Sequence, residues 1–391
     1  MISPTRSRKC AVPGAASNLR LPLTAAAYIE MFKPEDHTHM ARALQLAAQG
    51  LHTTTPNPRV GCVIVRDGAV VGEGWHARAG EAHAETLALA AAGGKAAGAT
   101  VYVTLEPCAH HGRTPPCVDA LVKAKPARVV AAMQDPNPQT AGQGFAKLRA
   151  AGIAVDTGLM ENEARELNIG FISRMTRGTP WVRMKVAASL DGRTALADGQ
   201  SQWITGAEAR RDGHAWRARA CAVLTGVGTV KDDDPQLNVR EVQTTRQPLR
   251  VVVDSRLQTP LTAKVLGPGT IIAAAGVDAP RSVALRAHGA EVVVLPNHEG
   301  KVELPALLQE LARRGCNEVH VEAGHKLNGS LLDEGLVDEL LIYFAPCILG
   351  DTAQGMFHLP PLQALAARRN VKITEVTRIG DDVRMLARME R

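Results

Sequence analysis

Aromatic residues are scarce in this chain. Phe, Trp and Tyr make up 3% of 391 residues, so any core must be built from Ala, Val, Leu and Ile, and surfaces for stacking single-stranded nucleic acid are few. No apolar run reaches the roughly 20 residues that a membrane helix needs. The seven cysteines are an odd count spread along a long chain. That is not a disulfide scaffold, and it points to a reduced, cytoplasmic compartment. Acidic residues are missing from Met1 to Ile29, where Arg6, Arg8, Lys9 and Arg20 sit among Ser, Pro and Ala. A transit peptide has this composition. The stretch lacks a continuous apolar segment and an amphipathic stripe, so residues 1–33 are read as a disordered tail, or as the product of an upstream start with Met31 the true one.

What remains is globular. Hydrophobic residues at 45% and charged residues at 21% exclude wholesale disorder, and the length allows two or three domains. The formal charge of +6 favours anionic ligands without choosing between nucleotide and nucleic acid. Asp36 is expected to cap a helix with Met40, Ala43, Leu44 and Ala47 on its apolar face. Val60 to Val65 reads as a strand, Asp67-Gly68 as a hairpin turn, and Ala69 to Trp75 as the returning strand. Strands and helices then alternate in a βαβ rhythm, which implies parallel sheets covered by helices. The rhythm pauses at Arg174 to Pro180. The fold class is therefore α/β, with one domain over residues 34–178 and a larger one over 179–391. Val371 to Met389 reads as a closing antiparallel pair around Gly380.

Chemistry concentrates at Glu81–Thr86 (EAHAET) and Leu105–Cys117 (LEPCAHHGRTPPC). His83, Cys108 and Cys117 supply one imidazole and two thiolates, a set that suits zinc with a fourth position left for water. Glu85 follows His83 by two residues. On a regular helix those side chains diverge by about 200°, so both can address one metal only if it lies off the helix's N-terminal end. His83 is thus expected in the first turn of a helix, and Cys108 ahead of a second that starts near Cys108 to Cys117, whose dipole favours thiolate. Glu85, a non-ligand, would shuttle the proton between water and leaving ammonia. Zinc deaminases carry H-x-E followed by P-C-x-x-C. Here the second Cys comes nine residues after the first, and the insertion brings His110, His111 and Arg113 near the metal. A closed structural site, with His110, His111 or Glu85 as fourth ligand, is the bland alternative; the absence of paired C-x-x-C spacings argues against it.

These motifs, with Thr55–Val65 (TPNPRVGCVIV), Met133–Pro138 (MQDPNP) and Lys185–Thr194 (KVAASLDGRT), closely resemble the bifunctional riboflavin-biosynthesis deaminase/reductase of bacteria. The likeness runs from about Met40 to the C-terminus. It implies a cytidine-deaminase-like zinc domain that removes an amino group from 2,5-diamino-6-(ribosylamino)-4(3H)-pyrimidinone 5′-phosphate. It also implies a dihydrofolate-reductase-like α/β domain that reduces the ribosyl group to ribityl with NADPH, and a homo-oligomer. By this resemblance Asn57, His76, His110, Arg113, Asp135 and Asn137 line the pyrimidine and phosphate pocket. An Asn amide can read a pyrimidinone edge and an Arg fork can hold phosphate, although Asn57 and Asn137 each lie next to Pro and also suit plain turns.

The second half lacks G-x-G-x-x-G, and Gly324–Ser330 (GHKLNGS) lacks the Lys that a P-loop places before Ser, which disfavours a Walker-type ATPase. A Gly-flanked turn opening a helix remains, able to hold a dinucleotide phosphate or nothing at all. The resemblance implies that Ala187, Trp203, Thr229, Asp233, Ser255 and the turn Gly324, His325, Lys326, Leu327, Asn328, Gly329 and Ser330 contact NADPH. It likewise assigns Lys185, Ser201, Arg217, Leu237, Arg240 and Glu322 to substrate, with Arg217 and Arg240 as phosphate clamps. A mutual Lys185–Glu322 salt bridge is the competing explanation for those two charges. Asp191 is expected in a turn. A nucleic-acid-editing deaminase with an accessory domain is the alternative function.

Overall fold

The computed structural model describes residues 31–112 and 115–390. Most of the N-terminal tail, and Arg113, lie outside the described residues. No described helix is long and apolar enough to cross a membrane, and all six described cysteines are free thiols.

The first half opens with helix α1 (Pro34–Ala48), strands β1 (Gly61–Arg66) and β2 (Ala69–Trp75), helix α2 (Ala84–Ala92), strand β3 (Thr100–Val103) and helix α3 (Cys117–Ala124). It continues through β4 (Arg128–Ala131), α4 (Gln143–Ala150), β5 (Ala154–Thr157), α5 (Glu161–Leu167) and α6 (Ile169–Arg177). The sheet order is β2-β1-β3-β4-β5; β1 is antiparallel to β2 and β3, and the rest is parallel. Asp67 and Gly68 both have positive φ, 51° and 76°, the backbone a two-residue hairpin needs. The expected cap is displaced. Lys33 is the N-cap and Asp36 sits one turn in, at N3. Its buried carboxylate accepts from the Lys33 backbone N–H at 2.9 Å, the Tyr102 hydroxyl at 2.6 Å and Arg128 Nη1 at 2.8 Å. Pro34 took the first helical position because it has no N–H to satisfy there.

Helices cover both faces of this sheet. Gly61 and Cys62 point to opposite sides, and Cys62 is paired with Gly74. A Cβ on Gly61 would lie 2.0 Å from the Ala43 carbonyl of α1, and one on Gly74 would lie 2.5 Å from the Ala84 carbonyl of α2. The two glycines let the helices approach the sheet closely. Gly61→Ala is expected to push α1 off its strand and cost about 1–3 kcal/mol, as overpacking does. An unchanged urea midpoint would show that the contact can relax.

The second half adds β6 (Trp181–Ser189), β7 (Arg193–Ala195), α7 (Ala207–Arg219), β8 (Ala222–Gly226), α8 (Val227–Asp233), β9 (Leu249–Val253), β10 (Thr270–Ala274) and α9 (Ala279–Ala287). Then follow β11 (Ala290–Val294), α10 (Leu304–Arg313), β12 (Glu318–Val321), α11 (His325–Asp333), β13 (Glu339–Ala345), β14 (Gln354–Gly355), β15 (Val371–Ile379) and β16 (Asp382–Met389). The nine-stranded sheet runs β11-β10-β9-β8-β12-β6-β13-β16-β15. It is parallel through β13, and β16 and β15 close it antiparallel around Gly380. Its core is aliphatic, with Met184, Leu224, Val251, Val319 and Val321 among its fully buried members. The sequence pattern did not separate α4, β5, α5 and α6, whose apolar stripes are short.

The halves meet through charge. Arg59, from the first, donates Nη2 to Glu318 Oε1 at 2.9 Å, and Glu318 also receives Arg183 and Arg219. Three guanidiniums hold this fully buried carboxylate well below its usual range, against the opposing push of burial.

Candidate active sites

His83 is the N-cap of α2, one residue ahead of the expected first turn, and Glu85 is the second helical residue. Cys117 opens α3. Cys108 lies in the loop before α3, ahead of the helix as the sequence reading has it. The intervening proline-rich residues cannot continue a helix back from Cys117. The result is the convergence that the motif requires. The ligating atoms of His83, Cys108 and Cys117 lie within 4.8 Å of one another, and this is the only grouping of three or more such side chains among the described residues. His83 Nδ1 is 3.2 Å from Cys117 Sγ and 3.6 Å from Cys108 Sγ. The Cys117 backbone N–H donates to Cys108 Sγ at 3.3 Å.

This donor set fits zinc: one imidazole nitrogen and two sulfurs, with no fourth His, Cys, Asp or Glu in the group. Neither His110 nor His111 completes it; both are exposed. Hydrogen bonds from the Cys117 thiol push Cys108 down to about 4, His83 adding to them, while Cys117 is held up as the partner that keeps its proton. A metal would discharge both. Glu85 is buried at 3% exposure. Burial pushes its carboxyl up to about 7, reinforced by the Cys108 thiolate, and it reaches the Cys117 thiol.

His83, Glu85 and Cys108 line a cavity of about 350 Å³, together with Asn57, His76, His110, Asp135 and Asn137. His76 Nδ1–H donates to the Ala82 carbonyl at 3.1 Å, so its Nε2 accepts from the Asn57 amide at 3.0 Å. His76 is thus buried and cavity-lining, and burial pushes its pKa down. Asp135 and Asn137 are turn residues as well as lining: Asp135 accepts from Asn137 N at 2.9 Å and Thr140 Oγ1 at 2.8 Å. Sequence reasoning missed several lining residues, among them Phe171, Met175 and Glu106. Phe171 and Met175 come from α6, far along the chain. Glu106 accepts from the backbone N–H groups of Asp135, Gly142, Gly144 and Phe145 at 2.9–3.2 Å and so pins the Asp135 turn beside Cys108. Its place in Leu105-Glu106-Pro107-Cys108 was the only available signal.

In the second half, parallel strand ends gather the remaining candidates. Val321 lies opposite both Leu224 and Met184, so Glu322, Thr225 and Lys185 share one level of the sheet. Lys185 and Ala187 point to the same side of β6. Lys185 Nζ lies 5.9 Å from the Tyr343 ring centre, and burial pushes its pKa down. The Lys185–Glu322 bridge is not what forms. Glu322 takes both arms of Arg217, Nη2 at 2.8 Å and Nε closer still, and Arg217 Nη1 also donates to the Asn238 carbonyl at 3.1 Å. Arg217 therefore arrives already paired. Arg240 is exposed and donates to Asn238 Oδ1 at 2.6 Å; Leu237 is buried beside them with φ 51°. Ser201 Oγ donates to Asp233 Oδ1 at 3.3 Å, and exposed Trp203 stacks under Arg210 at 4.7 Å. Ser255 Oγ accepts from Val302 N at 3.1 Å. Asp191 makes the expected turn, accepting from Ser189 Oγ, Leu349 N and Gly350 N at 2.5–3.1 Å, which hold it down at about 2.

The Gly324–Ser330 turn needs correction. Only Gly324 precedes the helix; His325 to Ser330 are inside α11. At Gly329 a Cβ would lie 1.9 Å from the His358 carbonyl, so the small residue admits that backbone. Asn328 is buried with its Oδ1 unpartnered, Leu327 packs 3.3 Å from where a Gly226 Cβ would be, and Lys326 and Ser330 are exposed. The features that fit a dinucleotide phosphate are two neighbouring glycine-capped helix starts, Gly226 before α8 and Gly324 before α11. They are joined by the Gly324 N–H donating to Thr229 Oγ1 at 3.1 Å. The buried, unpartnered Thr225 hydroxyl lies just before Gly226.

The class defined by this fold and these sites is a zinc-type deaminase fused to a reductase-type α/β domain. Residues 33–133 match the family described as the cytidine and deoxycytidylate deaminase zinc-binding region, and residues 180–385 match the RibD C-terminal domain. The chain is 50% identical over 366 residues to riboflavin biosynthesis protein RibD of Escherichia coli K12, covering 89% of this chain and 98% of the relative. It is 46% identical over 369 residues to its counterpart in Haemophilus influenzae, covering 90% and 97%. Among solved structures, RibD of Acinetobacter baumannii superposes with a TM-score of 0.85 at 44% identity, covering 91% of this chain and 99% of that one. The Thermotoga maritima diaminohydroxyphosphoribosylaminopyrimidine deaminase/5-amino-6-(5-phosphoribosylamino)uracil reductase gives 0.80 at 33% identity, with the same coverage. The chain belongs to the riboflavin biosynthesis protein RibD family. It is a bifunctional enzyme, a zinc-dependent deaminase joined to an NADPH-dependent reductase, with a cytidine-deaminase-like and a dihydrofolate-reductase-like half. The nucleic-acid-editing alternative finds no support in these relatives.

Proposed function

We propose that the first site deaminates 2,5-diamino-6-(ribosylamino)-4(3H)-pyrimidinone 5′-phosphate and that the second reduces the ribosyl group of the product to ribityl. The division falls between residues 178 and 179, where Gly178 ends α6 in a left-handed conformation, φ 71°. The observation that carries the reading is the His83–Cys108–Cys117 cluster with buried Glu85 beside it. These three residues would hold zinc, which supplies a water acidic enough to yield hydroxide at neutral pH. Glu85, buried beside the cluster, would take up a proton from water and give one to the departing amine; its carboxyl, pushed up by burial to about 7, suits both transfers. Asn57, fixed by His76 through its amide nitrogen, keeps its Oδ1 as an acceptor for a pyrimidine N–H. His110, Asp135 and Asn137 close the same cavity, and Arg113 is assigned to phosphate.

In the second site, Gly226, Thr229 and Gly324 would hold NADPH phosphates, with Ala187, Trp203, Asp233, Ser255 and the first turn of α11 around the cofactor. Lys185, Ser201, Leu237, Arg240 and the Arg217–Glu322 pair would orient the substrate; hydride transfer asks little more of a protein than orientation. A cytoplasmic enzyme assembled as a homo-oligomer follows from the same reading. Incubating the protein with the diaminopyrimidine, with and without NADPH, tests it: ammonia appears in both cases, and NADPH is consumed only after ammonia release. NADPH oxidation without ammonia would refute the order. Arg217→Ala is expected to lower NADPH-dependent reduction about 10- to 100-fold, as losing a charge-assisted contact of ~1.5–3 kcal/mol does, while ammonia release stays within about twofold. Equal loss of both rates would overturn the two-site assignment.

A further inference from the structure

The loop that carries Asn57 into the deaminase cavity is not held by the deaminase half alone. Pro56, Asn57, Pro58 and Val60 all line the cavity, yet the outer side of this loop rests on the other half. The Pro56 carbonyl accepts from Asn317 Nδ2 at 3.3 Å and from Arg174 Nη2 at 2.9 Å. Arg174 Nε in turn donates to Asn317 Oδ1 at 2.7 Å. Asn317 is 4% exposed and sits immediately before β12 of the nine-stranded sheet. Its own backbone is locked there: its carbonyl accepts from Trp181 N at 2.9 Å and its N–H reaches Cys221 Sγ at 3.2 Å. Two residues past Asn57, Arg59 repeats the arrangement toward buried Glu318. The Pro56 carbonyl and the Asn57 nitrogen belong to one planar peptide unit, so gripping that oxygen sets the plane from which the Asn57 side chain departs. Arg174 also lies 5.8 Å from the ring of Phe171, a cavity-lining residue.

We propose that Asn317, a residue of the reductase half, is a positioning residue for deamination. It acts through Pro56 to hold Asn57 in its reading orientation, and so makes substrate binding at the first site depend on the second domain. The proposal rests on the assignment of Asn57 to substrate.

The test is steady-state ammonia release by the full-length, zinc-loaded enzyme carrying Asn317→Ala, Asn317→Asp, Asn57→Ala or Asn57→Ala with Asn317→Ala. Asn317→Ala is expected to raise the deamination KM about 2- to 13-fold, the range of a lost neutral hydrogen bond, with kcat unchanged. Reduction of supplied deaminated substrate stays at the wild-type rate. Asn317→Asp keeps the acceptor for Arg174 and turns a carboxylate on Pro56, so it is impaired at least as much. The double variant is no worse than Asn57→Ala, because both act on one contact. If Asn317→Ala folds poorly, Arg174→Lys, which keeps the charge and loses the fork, is expected to raise KM in the same direction. A wild-type KM in Asn317→Asp, or parallel loss of both activities, overturns the proposal. If Asn57→Ala is impaired and Asn317→Ala is not, the Asn57 assignment stands and the proposal alone falls. A wild-type KM in Asn57→Ala removes both.

Discussion

Glu85→Gln is expected to lower ammonia release by about 10²- to 10⁴-fold, the usual contribution of a positioned acid–base group, and to leave zinc content and NADPH-dependent reduction intact. Glu85 is outside the ligand group, so the amide does not cost a metal bond. Nor should it cost the fold. The carboxyl is buried and pushed up to about 7 by that burial, so a neutral isostere relieves the penalty on a buried charge. The measurement is ammonia release beside metal analysis and a thermal melt. A variant that keeps its zinc, melts normally and deaminates at the wild-type rate would remove Glu85 from the chemistry and leave the cluster as a structural site.

Cys108→Ala should have the larger effect. Cys108 lies in a loop, so losing its side chain does not disturb a helix start. The sulfur, however, gathers the cluster: it accepts from the Cys117 N–H and faces His83. Two remaining ligands cannot hold zinc as three can. Bound zinc per chain should fall from one to near zero, and deamination should fall below detection, with reduction of supplied deaminated substrate retained. The folded deaminase half also loses the stabilisation that a ligand of the native state provides, so its unfolding midpoint should drop to that of chelator-treated wild type. Because the ligands must be deprotonated to bind, chelators should strip the wild type more readily as pH falls. Stoichiometric zinc in Cys108→Ala would sink the ligand assignment.

Local chemistry and local geometry were legible where they coincide. Asp67-Gly68 announced its turn because positive φ at both residues is a property of those two residues alone. Glu85 two residues after His83 pointed to a helix N-terminus, because helix periodicity would otherwise turn the two side chains apart, and both residues do sit at the start of α2. The same reasoning put Cys108 ahead of a helix but left the start of α3 open over Cys108 to Cys117, since the proline-rich insertion decides where α3 begins. Gly329, which the family likeness assigns to NADPH, sits where a side chain would meet the His358 backbone, a contact that local spacing does not reveal. Arg217 and Glu322 were both singled out, but that each is the other's partner follows from β12 and α7 meeting, and no spacing along the chain encodes it.

The amino-acid sequence alone determined the donor set His83, Cys108 and Cys117, the carboxyl at Glu85, the α/β rhythm and the family likeness, because each depends on residue type at short separation. Tertiary structure alone decided that Glu106 pins the Asp135 turn, that Phe171 and Met175 complete the cavity, and that Asn317 grips Pro56 from 261 positions away. Contacts at that separation are set by how two sheets and their helices pack, and the chain between them carries no periodic trace of the meeting.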